Sequence, residues 1–88
     1  MRFKHKDSKF KLFVDGEEVG SLTYEDHDNV LHFNSVNVDP NHQNQGYAFK
    51  ILTEATTYAR DNDYKVLPVC PYVISAFDRG GFEDLDAR

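Results

Sequence analysis

Between Val38 and Ala48 the apolar residues of this 88-residue chain change their spacing, from every second position to every third or fourth. Upstream, Phe10, Leu12 and Val14 alternate with Lys9, Lys11 and Phe13, the pattern of a half-buried strand. Asp15-Gly16 supplies a two-residue hairpin turn, and Val19 to Tyr24 is the returning strand. The polar cluster Glu25 to Asn29 marks a second turn, after which Leu31 and Phe33 share one side of a strand over Val30 to Val38. Three antiparallel strands are therefore expected before the change of period.

Asp39-Pro40 ends that run, because proline has no amide for a ladder and forces the preceding residue to be extended. A polar loop, Asn41 to Gly46, leads into a helix whose buried face is Ala48, Ile51, Leu52, Ala55, Tyr58 and Ala59, ending near Asn62. Val66 to Cys70 is an apolar run without alternation, as in a strand covered on both faces, and Pro68 argues for an edge or an interruption in its pairing. Tyr72 to Arg79 forms a short second helix, with Pro71 in its first turn and Gly80-Gly81 at its end. The expected fold class is α/β, of the α+β kind. A mixed, mainly antiparallel sheet carries two helices and a central strand-helix-strand unit, with strand 30 to 38 parallel to strand 66 to 70.

The length allows one domain, residues 1–88, and an apolar content of 40% rules out wholesale disorder. So short a chain is marginal alone, which leaves room for reinforcement by a ligand or in a homodimer. No run approaches the roughly 18 apolar residues of a membrane span, so a cytoplasmic location without membrane contact is expected. Cys70 is the single cysteine, which excludes an internal disulfide and a paired-cysteine zinc site, and no metal is expected. The net charge of −5 opposes nucleic-acid binding. Its distribution is uneven: Arg2, Lys4, Lys6, Lys9 and Lys11 against Asp7 make residues 1 to 11 +4, leaving −9 for the rest. Lysines on the exposed face of a first strand explain this by blunting a sheet edge, and a docking site for a phosphate-bearing ligand is the alternative.

Gln43-Asn44-Gln45-Gly46-Tyr47-Ala48 lies between the third strand and the helix. A loop entering a helix presents unpaired amides at the positive end of the helix dipole, and glycine lets backbone approach a phosphate closely. Taken alone, Gly46 could equally be an ordinary turn residue. The stretch Gln43-x-x-Gly46-x-Ala48 resembles the Gln/Arg-x-x-Gly-x-Gly/Ala signature of the GNAT superfamily of acyl-CoA-dependent N-acyltransferases. Val38-Asp39-Pro40, Ala59 to Asn62 and Lys65 to Val73 are similar to the small single-domain members. Phe77-x-x-Gly80-Gly81-Phe82-Glu83 is similar to an element of larger ones, so that the resemblance spans about residues 17 to 85.

The resemblance implies that acetyl-CoA or coenzyme A sets its pyrophosphate on the amides of Gln43, Asn44, Gln45, Gly46, Tyr47 and Ala48. The pantetheine arm then runs where strands 30 to 38 and 66 to 70 splay apart, beside the backbone of Val36, Asn37 and Val38. It implies an acetyltransferase that acts on a primary amine, of a small molecule or of a protein or peptide. Small relatives carry a histidine where this chain has Ser35. His32 is three residues away and would face the other side of the strand unless a bulge intervenes. His42, in the loop, suits a solvated position better than a catalytic one. Cys70, at a strand end opening onto a helix, either attacks the thioester as a thiolate or fills core space as a small apolar residue. Tyr72 is a candidate general acid for the departing thiolate, or packs over the cleft. The family's usual tyrosine falls near Phe77, which has no proton to give. The absent histidine also supports an alternative function, a non-catalytic acyl-CoA-binding sensor or partner module.

Overall fold

Three tight turns fold the first half of the chain, each with two central residues in the left-handed region: Asp7-Ser8, Asp15-Gly16 and Asp28-Asn29. Such turns match the twist of antiparallel strands. The computed structural model describes residues 1–88. Its strands are β1 (Arg2–Lys6), β2 (Lys9–Val14), β3 (Glu17–His27), β4 (Val30–Val38) and β5 (Lys65–Pro68), with helices α1 (Tyr47–Asp61) and α2 (Pro71–Arg79). The strands lie side by side in chain order, antiparallel except for the parallel pair β4 and β5.

Four antiparallel strands, one more than the alternation predicts, precede the helix. The segment expected to form one basic strand is a hairpin, because Asp7 and Ser8 adopt left-handed φ of 55° and 62° without a glycine to announce it. The cluster Glu25 to Asn29 is also not all turn: β3 runs on to His27. Glu25 holds it there, accepting a hydrogen bond from Asn34 Nδ2 across the ladder and pairing with His27 Nε2, both at 3.0 Å.

The core occupies one face of the sheet. Phe10, Leu12, Leu22, Leu31, Phe33 and Val66 pack there against Ile51, Leu52, Ala55 and Ala59 of α1 and Val73, Ala76 and Phe77 of α2. Each fully buried large apolar side chain stabilises the fold by roughly 1.5–3 kcal/mol. The opposite face has no buried residue on any strand. Leu67 is only half-buried on that bare side, so β5 is covered on one face and not on both. Gly20 is required where β3 passes under the start of α1, since a Cβ there would lie 2.8 Å from Asn37 O and from Ile51 Cδ1.

The C-terminal segment, for which no element is expected, closes the outer edge of β5. Val66 N donates to Leu85 O and Ala87 N to Val66 O, both at 2.9 Å, while buried Leu85 joins the core. Phe82 stacks on Phe77 with ring centres 4.8 Å apart, securing the turn at Gly80-Gly81.

Candidate functional site

Pairing between β4 and β5 ends at Phe33 opposite Pro68. Proline cannot extend the ladder, and both Val69 N and Cys70 N donate to Phe33 O, at 3.2 and 3.0 Å, as the chain turns into α2. β4 continues alone on that side through Asn34, Ser35, Val36, Asn37 and Val38. The two parallel strands therefore part into a V whose longer arm has an unpaired main-chain edge.

A bulge sits at the mouth of the V. Thr23 pairs with Ser35 but Tyr24 with Phe33, so Asn34 is an extra residue in β4. The insertion changes the phase of alternation: Leu31 and Phe33 face the core before it, Val36 and Val38 after it. Ser35 consequently lies on the bare face with His32, the exception that plain alternation disallowed. The hydroxyls of Thr23 and Ser35 are hydrogen bonded to each other there.

The loop after β4 is held at both ends. Asp39 N donates to Val19 O at 2.8 Å, and Asp39 Oδ1 accepts from Asn41 N at 2.9 Å, capping the short 3-10 turn Pro40–His42. Gly46 is the N-cap of α1 with φ of 75°, and Lys50 N donates to its carbonyl at 3.1 Å. No acceptor within the chain takes the amides of Gln43, Asn44, Gln45, Gly46, Tyr47, Ala48 or Phe49. Aligned helical peptide dipoles add about half a positive charge at this point, giving a concentrated set of anion donors.

A cleft of about 330 Å³ joins this loop to the second helix. Val38, Gln43, Asn44, Gly46, Tyr47 and Ala48 line it together with Tyr72 from the first turn of α2. Of the other site residues expected from sequence, Val36 packs against the core and Gln45 is exposed. Asn37 opens onto a neighbouring depression with Ser21 and Asp39. Cys70 is the N-cap of α2, only 8% exposed, and counts with the core, not with the cleft lining. The structure thus brings Tyr72 to the loop but leaves Cys70 beneath it.

Two lining residues stand outside the expected set: Phe49, half-exposed on the first turn of α1, which was missed, and His42, which was set aside as a solvated loop residue. Phe49 lies off the apolar face read from the helix period, so nothing local marked it. His42 lies between two carboxylates, Nε2 being 3.7 Å from Glu17 Oε2 and Nδ1 3.9 Å from Asp39 Oδ2, and its buried Nδ1 has no hydrogen-bond partner. Glu17, Asp39 and His42 are the one group whose potential ligand atoms converge, within 4.8 Å.

The sequence profile of the family described as GCN5-related N-acetyl-transferase matches residues 9–85, nearly the whole chain. The chain belongs to that family. No match is found among curated protein sequences. Among solved structures, a GCN5-like protein from Staphylococcus aureus superposes with a TM-score of 0.77 at 20% identity, over 97% of this chain and 86% of the other. The ribosomal-protein-alanine N-acetyltransferase of Brucella melitensis superposes with a TM-score of 0.71 at 15% identity, over 83% and 60%. A GNAT acetyltransferase from Elizabethkingia anophelis, solved with acetyl-CoA bound, gives 0.63 at 19% identity, over 68% and 40%. At these identities the structural likeness establishes the GNAT fold, and the family match establishes membership. This GNAT domain spans less than two thirds of the latter two chains.

Proposed function

We propose that this GNAT domain is an N-acetyltransferase that works in the cytoplasm and moves an acetyl group from acetyl-CoA to a primary amine. The observation that carries the reading is the set of seven consecutive free amides, Gln43 to Phe49, at the start of α1 beside the unpaired edge of β4. A pyrophosphate on those amides directs the pantetheine arm along Val38, Asn37 and Val36, whose main chain can pair with it as a fifth strand would. The thioester then reaches the bulge at Asn34, where a fixed main-chain donor favours the charge that develops on the carbonyl oxygen. Attack by the neutral amine forms the new C–N bond, the C–S bond breaks, the nitrogen sheds one proton to water, and the departing thiolate takes one up. Tyr72, in the same cleft, is the group placed to supply it.

The acetyl-CoA-bound relative from Elizabethkingia supports the choice of co-substrate. Calorimetry with acetyl-CoA tests the first half of the proposal, and free-thiol release with a panel of amines tests the second. Gly46→Val forces a branched side chain into left-handed backbone, so acetyl-CoA affinity is expected to fall about tenfold or more; unchanged affinity sinks the loop assignment. Tyr72→Phe is expected to lower kcat by 10- to 100-fold with little change in acetyl-CoA binding. Cys70→Ala separates an acyl-cysteine route, which it abolishes, from direct transfer, which it leaves intact.

A second reading, a sensor that binds acetyl-CoA without turnover, is favoured by Ser35 standing where small relatives carry histidine. Tight binding with no thiol release above background for any amine would establish it.

A further inference from the structure

The bare face of the sheet is not uniform. The register sets its side chains in rows that cross the strands: Lys6, Lys9, Thr23 and Ser35 form one row, Lys4, Lys11, Ser21 and Asn37 the next. Both rows begin with two lysines directly opposite each other and end on β4 at the V. Like charges in directly opposed positions destabilise a strand pair, and here two such pairs are adjacent. Of the four ammonium groups only Lys11 has a carboxylate partner, Glu18 at 3.5 Å. The four lysines and Asp7 line a depression of about 400 Å³ that contains no apolar residue. Between the lysines and Ser35 the first row carries only the Thr23 hydroxyl, and neither row contains a carboxylate.

We infer that this face receives the acceptor, and that the acceptor is an acidic peptide whose carboxylates rest on Lys4, Lys6, Lys9 and Lys11 while its amine reaches the bulge beside Ser35. The inference rests on the proposed N-acetyltransferase reading. Strands lie about 4.8 Å apart, so Lys9 is about 10 Å and Lys6 about 15 Å from β4, the length of three to five extended residues. Acidic side chains three to five positions from the acceptor nitrogen therefore meet the lysine pairs. A single phosphate balances at most two of the four charges, whereas successive carboxylates can each take a lysine. Residues 12 to 88 carry −9 and repel a long polyanion, which confines attraction to this patch and favours a short acidic segment.

The test uses the whole chain and two peptides with one acceptor lysine, followed at the third to fifth positions by Glu in one and by Gln in the other. Amide chemical shifts report binding whether or not acetyl transfer occurs. The Glu peptide is expected to shift Lys6, Lys9, Thr23 and Ser35 and to bind about tenfold more tightly than the Gln peptide, the difference vanishing in 0.5 M salt, roughly a threefold shorter screening length than at low salt. In turnover the same preference is expected in kcat/KM. Lys4→Glu/Lys9→Glu converts both like-charge pairs into opposite-charge pairs, so the variant is expected to fold at least as stably while losing the preference. Equal affinity of the two peptides, or shifts that avoid this face, overturns the inference. A phosphoserine peptide that outcompetes the Glu peptide by tenfold also overturns it, in favour of a phosphorylated acceptor. Loss of acetyl-CoA binding or of turnover, with the peptide shifts intact, sinks the enzyme reading and not the docking surface.

Discussion

His5 joins the edge strand to the helix layer. Its Nε2 lies 2.6 Å from the Tyr24 hydroxyl, its ring stacks on Phe10 at 3.9 Å, and Tyr58 meets it edge-on at 4.5 Å. Desolvation in this cluster holds the imidazole below its ordinary 6.5, against the opposing pull of Glu54. Burial pushes Tyr24 up to about 12, the charges of Tyr58, Tyr64 and Asp26 adding to it. Both groups thus favour neutral forms when folded. The unfolded chain binds a proton on His5 at higher pH than the folded one does, so stability falls as pH drops below about 6.5. At the alkaline end the unfolded chain releases the Tyr24 proton first, and stability falls as pH rises from 10 toward 12. Urea midpoints measured from pH 4 to 8 are expected to show the acid limb in the wild type and a flatter one in His5→Phe, which keeps the stacking. Gly20→Ala places a methyl against backbone oxygen and Ile51 at once, and is expected to cost about 1–3 kcal/mol in the same assay. Neither residue was marked by the sequence: His5 sat in a run of lysines, and the need for Gly20 arises from an approach between segments far apart in the chain.

At the scale of elements, what could be seen beforehand depended on whether a break carried its own chemistry. Asp39-Pro40, Asp15-Gly16 and Gly80-Gly81 are strong punctuation, and the boundaries they set are observed. Asp7-Ser8 uses the same backbone geometry without glycine and was invisible, which merged β1 with β2. Ser8→Gly relieves a left-handed serine at φ of 62° and is expected to stabilise the hairpin by about 0.5–1 kcal/mol, detectable in thermal melts. The bulge at Asn34 was hidden for a different reason: it consists of one polar residue among polar neighbours and is defined only by its partner strand. That single residue decides which way Ser35 and Asn37 face. The position of the loop from Gln43 to Ala48 was legible because a visible strand end and a visible helix start bound it, and the amides proposed to act there are ones that any sequence supplies.

The whole molecule has one covered face and one bare face, a thin core for 88 residues, and its stability is correspondingly sensitive to ligand. Saturation with acetyl-CoA at about 100 times its dissociation constant is expected to add about 2.7 kcal/mol, a rise of several degrees in the melting midpoint. Coenzyme A should give most of that rise, since the loop amides are proposed to hold the part the two share; no shift with either would contradict the proposed site. The family could be read from the joint occurrence of loop signature, strand and helix, while the acceptor surface proposed above could not, because it consists of side chains that only strand register brings into rows.

The slit between β4 and β5 is bordered on its longer side by main chain, whose groups are the same whatever amino acids occupy those positions. Mutations at Ser35 or Asn37 can therefore alter the neighbouring surface without touching the donors and acceptors that the proposed acyl carrier would meet. On the proposed reading, a lineage built on this scaffold is free to change its clients by drift while its fuel supply stays fixed.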